Sequence, residues 1–595
     1  MTSFSSWWKG RRLTVHGIGT ISFGLFLLCF FVLVRWTYPE VGHDYRFFFG
    51  ELLEGNWQFH HFGIAIPRYA VHLCGGSVLY GNPQDMFYSP TQFFALILDP
   101  WRAIQLTFLI CLVVGYVGWY RLGRDLLGMR GEWSHILALV VLANGFYFSH
   151  IAAGHVTYHA FSLLGWFLLL LFDRRELRDR ATAVGQAATF ALLSAYVLYS
   201  GGWFVLFFLG IGFLLVLPLE IFLVDHPGKR LLQIMRRLSL FGVAALAIMI
   251  SKLVAIHSFM RFYPRERPLI SQDPSRSTVG FVADALWGLP QNGQRLGELP
   301  GWPHEKSVLI APITLIGLVL GLVLLRLSIS RKTGLAKFRL VVFALCYGGI
   351  LLASMIQLVR GYGWIAEAIH RLPIGSSQYV SSRYLYLFSL LLSVAGVWSL
   401  GKMMGYLDDR WNILAMAFAG VTTVSALVFA YVGMLPEVGM WTNVKDYREL
   451  WTRFNVSSSV TRVVADTDFP SGTGRLCYEP ILNSADNPSS VLHVGPISDV
   501  ENGYFNLMNP SCYQYPIENH CKPGDRISVE DGENLSRFAR GLPVTWKVSR
   551  AQRLADGVSG VSLLCLLALF RYSPLLLRRR FRHSRHRAVP EPPDQ

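Results

Sequence analysis

Apolar stretches long enough to cross a bilayer recur along the whole chain, and the segments between them alternate in character. The clearest cover 17–36, 103–120, 203–224, 238–255, 308–325, 340–359 and 413–434. More polar ones cover 134–153, 156–172, 183–199 and 384–400, and a last one, 558–577, is interrupted by Arg571. Crossing the hydrocarbon core takes roughly 20 apolar residues per helix. Within lipid each run must be helical, because nothing else satisfies its backbone polar groups. The pattern predicts an all-α multi-pass membrane protein with about 12 transmembrane helices.

Lys and Arg orient these spans. They collect in the N-tail (Lys9, Arg11, Arg12) and in every second connection: Arg121, Arg124 and Arg130, then Arg174, Arg175, Arg178 and Arg180. The next such groups are Lys229, Arg230, Arg236 and Arg237, then Arg326, Arg331, Lys332, Lys337 and Arg339. The C-tail ends in a further basic run from Arg578 to Arg587. The intervening connections are tiny, or long and mixed in charge. With twelve spans both termini are cytoplasmic, and the first run is expected to be a retained helix, since no small-residue cleavage site stands before Tyr38.

Three long segments then lie on the extracytoplasmic side, 37–102, 257–307 and 436–551. The first holds two amphipathic stretches, Tyr45–Leu53 and Tyr69–Val78, expected at the membrane interface. The second is rich in proline (Pro264, Pro268, Pro274, Pro290, Pro300 and Pro303) and reads as an irregular loop over a cavity. The third is expected to form a small mixed α/β or β-rich domain, with strand-like runs at 460–465 and 544–548. The division is thus 1–435, a transmembrane module, 436–551, an extracytoplasmic domain, and 552–595, a final span with a basic tail.

Composition adds little to this picture. Of 595 residues 52% are hydrophobic and 15% charged, which excludes an ordinary soluble protein. The net charge of +16 follows from the basic connections, and no basic soluble domain suggests a nucleic-acid partner. Cys512 and Cys521 have a spacing compatible with a small disulfide loop in an oxidising compartment, leaving Cys477 free.

Asp44 is the first residue that can carry chemistry. A carboxylate just beyond the first membrane exit can serve as a general base for an acceptor hydroxyl. It is equally well placed to cap the helix beginning near Tyr45, although Phe47 leaves the capping box incomplete. His43 beside it is a secondary candidate. Asp85, in Asn82-Pro83-Gln84-Asp85, is another, though that sequence is turn chemistry. His155 and His159 are four residues apart and would share the face of an α-helix. With His150 or the His60-His61 pair they could hold a divalent metal, but the set needs a ligand from a distant segment and is not favoured. No cofactor is expected. His155 is better placed to donate a hydrogen bond to a phosphate or sugar oxygen. Arg383 can clamp a lipid phosphate with its planar fork, or merely snorkel to the headgroups. Arg261 and Arg265, near Tyr263, offer a further phosphate site.

One span followed by a Gly-x-Asp segment that opens an outer loop resembles the GT-C superfamily of membrane glycosyltransferases, and most closely its bacterial YfhO-like group. Gly42-His43-Asp44, Ala153-Gly154-His155 and Ser382-Arg383-Tyr384 carry the resemblance, over residues 15 to 435. It implies a GT-C-like fold in a bacterial inner membrane, with the active site outside. It also implies transfer of a sugar from a polyprenyl-phosphate donor to a glycan, lipid or protein acceptor. Asp44 matches the base of such enzymes, and His155 and Arg383 match the groups holding the donor phosphate. The chain departs from better-known members in having Tyr45, not a second acid, after Asp44. The competing readings are a transporter or flippase of lipid-linked sugars, which would bury ionisable groups within the membrane, and a non-catalytic envelope-assembly protein.

Overall fold

The computed structural model describes residues 11–33, 40–41, 44–70, 76–263 (apart from 176, 178–179 and 223), 280, 282, 286, 308–405 (apart from 373–374 and 379), 417–418, 420–421, 423–425, 442–443, 492–493, 499–533, 536 and 547–583. They are mostly helical. In chain order the helices are α1 (Arg11–Leu33), α2 (Tyr45–Phe62), α3 (Pro90–Ala95), α4 (Pro100–Arg121), α5 (Gly131–Leu142), α6 (Gly145–Ala153), α7 (Leu164–Phe172), α8 (Arg180–Tyr199), α9 (Trp203–Phe222), α10 (Pro227–Met260), α11 (Pro312–Ser330), α12 (Gly334–Arg360), α13 (Trp364–His370), α14 (Leu385–Met404), α15 (Pro510–Gln514) and α16 (Arg550–His583). Short 3-10 turns lead into α7 and α14 at Val156–Leu163 and Ser381–Tyr384.

Eight helices among the described residues are long and apolar enough to cross a membrane, and a ninth span results if α5 and α6, bent by 42° at Ala143-Asn144, count as one. Two further runs from the sequence form shorter apolar helices, Gly19–Val32 and Val156–Phe172. The run at 413–434 lies largely outside the described residues. These helices associate with a lipid bilayer.

α11 and α14 cross at a pair of glycines. A Cβ on Gly396 would lie 2.5 Å from the Thr314 carbonyl oxygen, and one on Gly317 would strike the Gly396 backbone. Without water between helices to drive association, backbone approach over small residues is a main source of packing energy. At one end of the bundle two arginines of α10 tie it to α7, α8 and α9. Arg230 donates to the Phe172 carbonyl (2.7 Å) and to Glu220 (2.6 Å), and buried Arg237 donates to the Leu170 carbonyl (3.1 Å) and Gln186 (2.7 Å). Two residues read from sequence only as orientation signals therefore also satisfy the last carbonyls of α7, which have no intrahelical donor.

At the opposite end the segment 44–99 is set into the bundle. α2 departs from the expected interfacial helix, for every residue from Phe47 to Gln58 is buried. Its polar side chains bond within the protein: Gln58 donates to Glu54 (2.8 Å) and the Tyr69 carbonyl (3.0 Å), and Asn56 to the Ala95 carbonyl (2.9 Å). The other expected amphipathic stretch is not helical where it is described. Tyr69–Ala70 and Ser77–Val78 pair as antiparallel strands, with 71–75 outside the described residues. The Tyr69 hydroxyl bonds the Met508 carbonyl.

Near the C-terminus Val500–Glu501, Tyr504–Met508 and Arg526–Ser528 form a three-stranded antiparallel sheet. Cys512, on α15, is joined to Cys521 (S–S 2.04 Å), and Cys477 lies outside the described residues. Residues 460–465 also lie outside them, and the described part of 544–548 is not strand. Replacing Gly396 by Leu should force α11 and α14 apart and lower stability by about 1–3 kcal/mol. Thermal unfolding in detergent measures this, and an unchanged transition would show that the crossing contributes nothing.

Candidate functional site

Asp44 occupies the position before α2 but does not cap it with its side chain. Its backbone is helical (φ −70°, ψ −19°), and the side chain makes no cap hydrogen bond. An N-cap that reaches back to the following amides needs extended dihedrals. Only the Asp44 carbonyl takes part, accepting from Phe47 N at 3.1 Å. The carboxylate turns instead toward the loop after α6, where Asp44 Oδ2 lies 2.8 Å from His155 Nε2. Both side chains are nearly enclosed, at 12% and 11% exposure.

Gly154 makes this approach possible. It ends α6 in the left-handed region (φ +103°), which glycine adopts without cost. It also lies directly against the start of α2. A Cβ there would come within 2.6 Å of Tyr45 N and 3.0 Å of Asp44 Cβ. The Tyr45 hydroxyl donates to the Ile151 carbonyl at 2.7 Å and pins the two segments together.

Around the pair stands a cluster of rings. His155 lies 5.0 Å from the Tyr158 ring and 4.9 Å from His150, and His150 stacks on Tyr158 at 4.7 Å. His150 is held by its own helix, with Nδ1 2.8 Å from the Phe146 carbonyl. Arg383, in the 3-10 turn that leads into α14, places its guanidinium carbon 6.0 Å from the centre of the Tyr158 ring, within cation–π range. Asp44, His155 and Arg383 thus meet around Tyr158, a residue that sequence reasoning did not single out. Its only signal is its place three residues after His155.

His159 does not join them. The segment 156–163 is a 3-10 helix, not an α-helix. At three residues per turn it aligns position 155 with 158 rather than 159. His159 is fully buried against Phe108 and Tyr196, with Nδ1 2.6 Å from the Val156 carbonyl. His61 Nδ1 lies 2.8 Å from the Trp57 carbonyl, at the far end of α2 from Asp44. Among the described residues, the ligand atoms close enough to share a metal are those of Cys512, Cys521 and Asp525, and the two sulfurs are already bonded to each other. His43 and Arg265 lie outside the described residues. Arg261 is described but lines a different cavity, whose walls include neither Asp44 nor His155 nor Arg383.

Asp85 is both a turn residue and an ion-pair partner. Its Oδ1 accepts from Phe87 N at 3.0 Å, as the Asn-Pro sequence suggests, while Oδ2 lies 2.8 Å from Lys252 Nζ. The pair is sealed, at 3% and 0% exposure. Burial pushes the Asp85 carboxyl up from its usual value, while the Lys252 ammonium and the Phe87 and Met86 amides pull it down. Lys252 also lies 4.9 Å from the Tyr80 ring. The preceding residue, Ser251, bonds the Tyr80 hydroxyl (2.7 Å) and Asp556 (2.5 Å), and Asp556 pairs with Arg68 at 2.7 Å. No family model, curated protein or solved structure matches the chain.

Lys252→Met should destabilise the fold by about 3–5 kcal/mol, because it strands a buried carboxylate. The double variant Lys252→Met/Asp85→Asn keeps the turn's acceptor oxygen without the charge and should recover most of the loss. Unfolding in detergent tests both, and equal stability of parent and single variant would mean that the pair does not hold the segment.

Proposed function

We propose that the protein is a membrane glycosyltransferase of the GT-C kind, similar to the YfhO-like group. In this reading it crosses a bacterial inner membrane twelve times, with both termini in the cytoplasm and Asp44 on the outer face. The donor is a polyprenyl-phosphate sugar and the acceptor a glycan, lipid or protein. The observation that supports it most is the enclosed Asp44–His155 contact, with Arg383 brought to the same ring cluster from a distant helix.

The acceptor hydroxyl oxygen forms a bond to the anomeric carbon as the carbon–oxygen bond to phosphate breaks. The electron pair of that bond leaves with the lipid phosphate, and the hydroxyl proton passes to Asp44. A phosphate leaves without an acid, so one carboxylate suffices, unlike the pair needed for glycoside hydrolysis. His155, with its proton on Nε2, donates to Asp44 and fixes the direction of its lone pairs. This is a different task from the phosphate contact that its position in the sequence implies. Arg383 stabilises the departing phosphate, and fixed positive charge at such a point supplies much of the rate in enzymes of this class. The buried Asp85–Lys252 pair favours a second reading, transport of a lipid-linked sugar, since transporters bury ionisable groups between helices.

Asp44→Asn, with purified protein and a labelled polyprenyl-phosphate sugar, should lose about 10²-fold or more of transfer activity while keeping the parent's melting temperature. Undiminished transfer would exclude Asp44 as the base. A transporter would instead move lipid-linked sugar across vesicles with Asp44→Asn and stop with Asp85→Asn. Cysteines introduced at Ser489 and Ser584 should label from opposite sides of the membrane, and labelling from one side would overturn the twelve-span scheme.

A further inference from the structure

Where α10 ends and α16 begins, an open cavity of about 960 Å³ lies between the two helices, Arg68 and Glu518. Its walls carry Arg68, His257, Arg261, Lys547, Arg550 and Arg553, and a single carboxylate, Glu518. Arg68 is neutralised by Asp556 at 2.7 Å. Among the described residues, the other three arginines and Lys547 form no ion pair, so four cations face one cavity against one acid. Like charges gathered around a concave surface repel one another and focus a positive potential into the space between them. Such an arrangement is stabilised by an anion held there.

The helix ends act in the same sense on one wall and are compensated on the other. Val548, Ser549, Arg550 and Ala551 line the cavity where α16 starts, and the N-terminal end of a helix carries a partial positive charge. α10 presents its negative C-terminal end, and His257 and Arg261 stand there to offset it. Depth narrows the choice of ligand. α10 and the 550–569 part of α16 are both apolar enough to cross a membrane, so a cavity at their ends lies at headgroup level. Val254, one turn further in, adds an apolar wall below the cations. Guanidinium forks suit phosphate oxygens, with two parallel donors per group.

We infer that this cavity binds a phosphomonoester or diphosphate group at the membrane surface, through Arg261, Arg553, Lys547 and Arg550. The inference does not rest on the transferase reading, because Asp44, His155 and Arg383 take no part in the cavity. The phosphate can come from a lipid headgroup or from a free ion, and the two sources separate experimentally.

The test is calorimetric titration of the full chain in a neutral detergent with three probes: dihexanoyl phosphatidic acid, inorganic pyrophosphate and, as control, dihexanoyl phosphatidylcholine. Phosphatidic acid should bind and the zwitterionic control should not. Arg261→Gln/Arg553→Gln should weaken binding about tenfold or more. Lys547→Gln/Arg550→Gln, at two other exposed positions where α16 starts, should do the same, which guards against a folding defect in the first variant. Asp44→Asn should bind as the parent does. Binding of phosphatidic acid without pyrophosphate assigns a lipid ligand, and binding of both assigns the phosphate group itself. Equal binding of the control lipid, no binding of either phosphate probe, or unchanged affinity in both double variants would overturn the inference.

Discussion

The ammonium of Lys252 is buried near the end of a membrane helix, where an unanswered charge costs several kcal/mol. The answer comes from Asp85, on a segment that the sequence alone would leave lying on the bilayer surface. Once that carboxylate is committed, the turn around it is fixed, and Tyr80 must stand beside Lys252 and reach Ser251. Arg68 and Asp556 repeat the arrangement toward α16. The segment 44–99 is thereby held down by two charge pairs and becomes a packed layer of the protein. α2 is its base, and its polar residues find partners within the layer because water does not reach them.

Asp44 depends on that layer. With α2 held against α6, Asp44 lies against the loop at Gly154, where any side chain would collide. The carboxylate is then directed at an imidazole rather than at backbone amides, since helical dihedrals at position 44 deny it the capping geometry. A residue that looks like a helix cap in sequence is released from capping by its own backbone.

Much of the helical framework was legible in the sequence, because membrane spans write themselves as long apolar runs. Asp44, His155 and Arg383 could each be marked by residue type and position at a span end, and the structure brings all three to one ring cluster. Other features were not legible, for physical reasons. The alignment of His155 with Tyr158 in place of His159 depends on three rather than 3.6 residues per turn, and hydropathy does not distinguish these over eight residues. The burial of α2 was hidden because its Glu, Asn and Gln residues read as a wet face, whereas Asn56 and Gln58 are answered by the Ala95 and Tyr69 carbonyls of later segments. The partner of Asp85 could not be read at all, since nothing local to position 85 points to Lys252. Arg230 and Arg237 looked like orientation signals alone, because their bonds to the carbonyls of α7 are long-range.

The ring cluster also has a history within each molecule as it is made. Asp44 is made soon after α1, His155 after the intervening helices α2 to α6, and Arg383 only after α7 to α13. Tyr158 can touch Arg383 only when α14 has taken its place. A chain arrested midway holds the carboxylate and the imidazole without the guanidinium. The constellation is therefore completed only once α14 is in place, and a shorter molecule carries it incomplete.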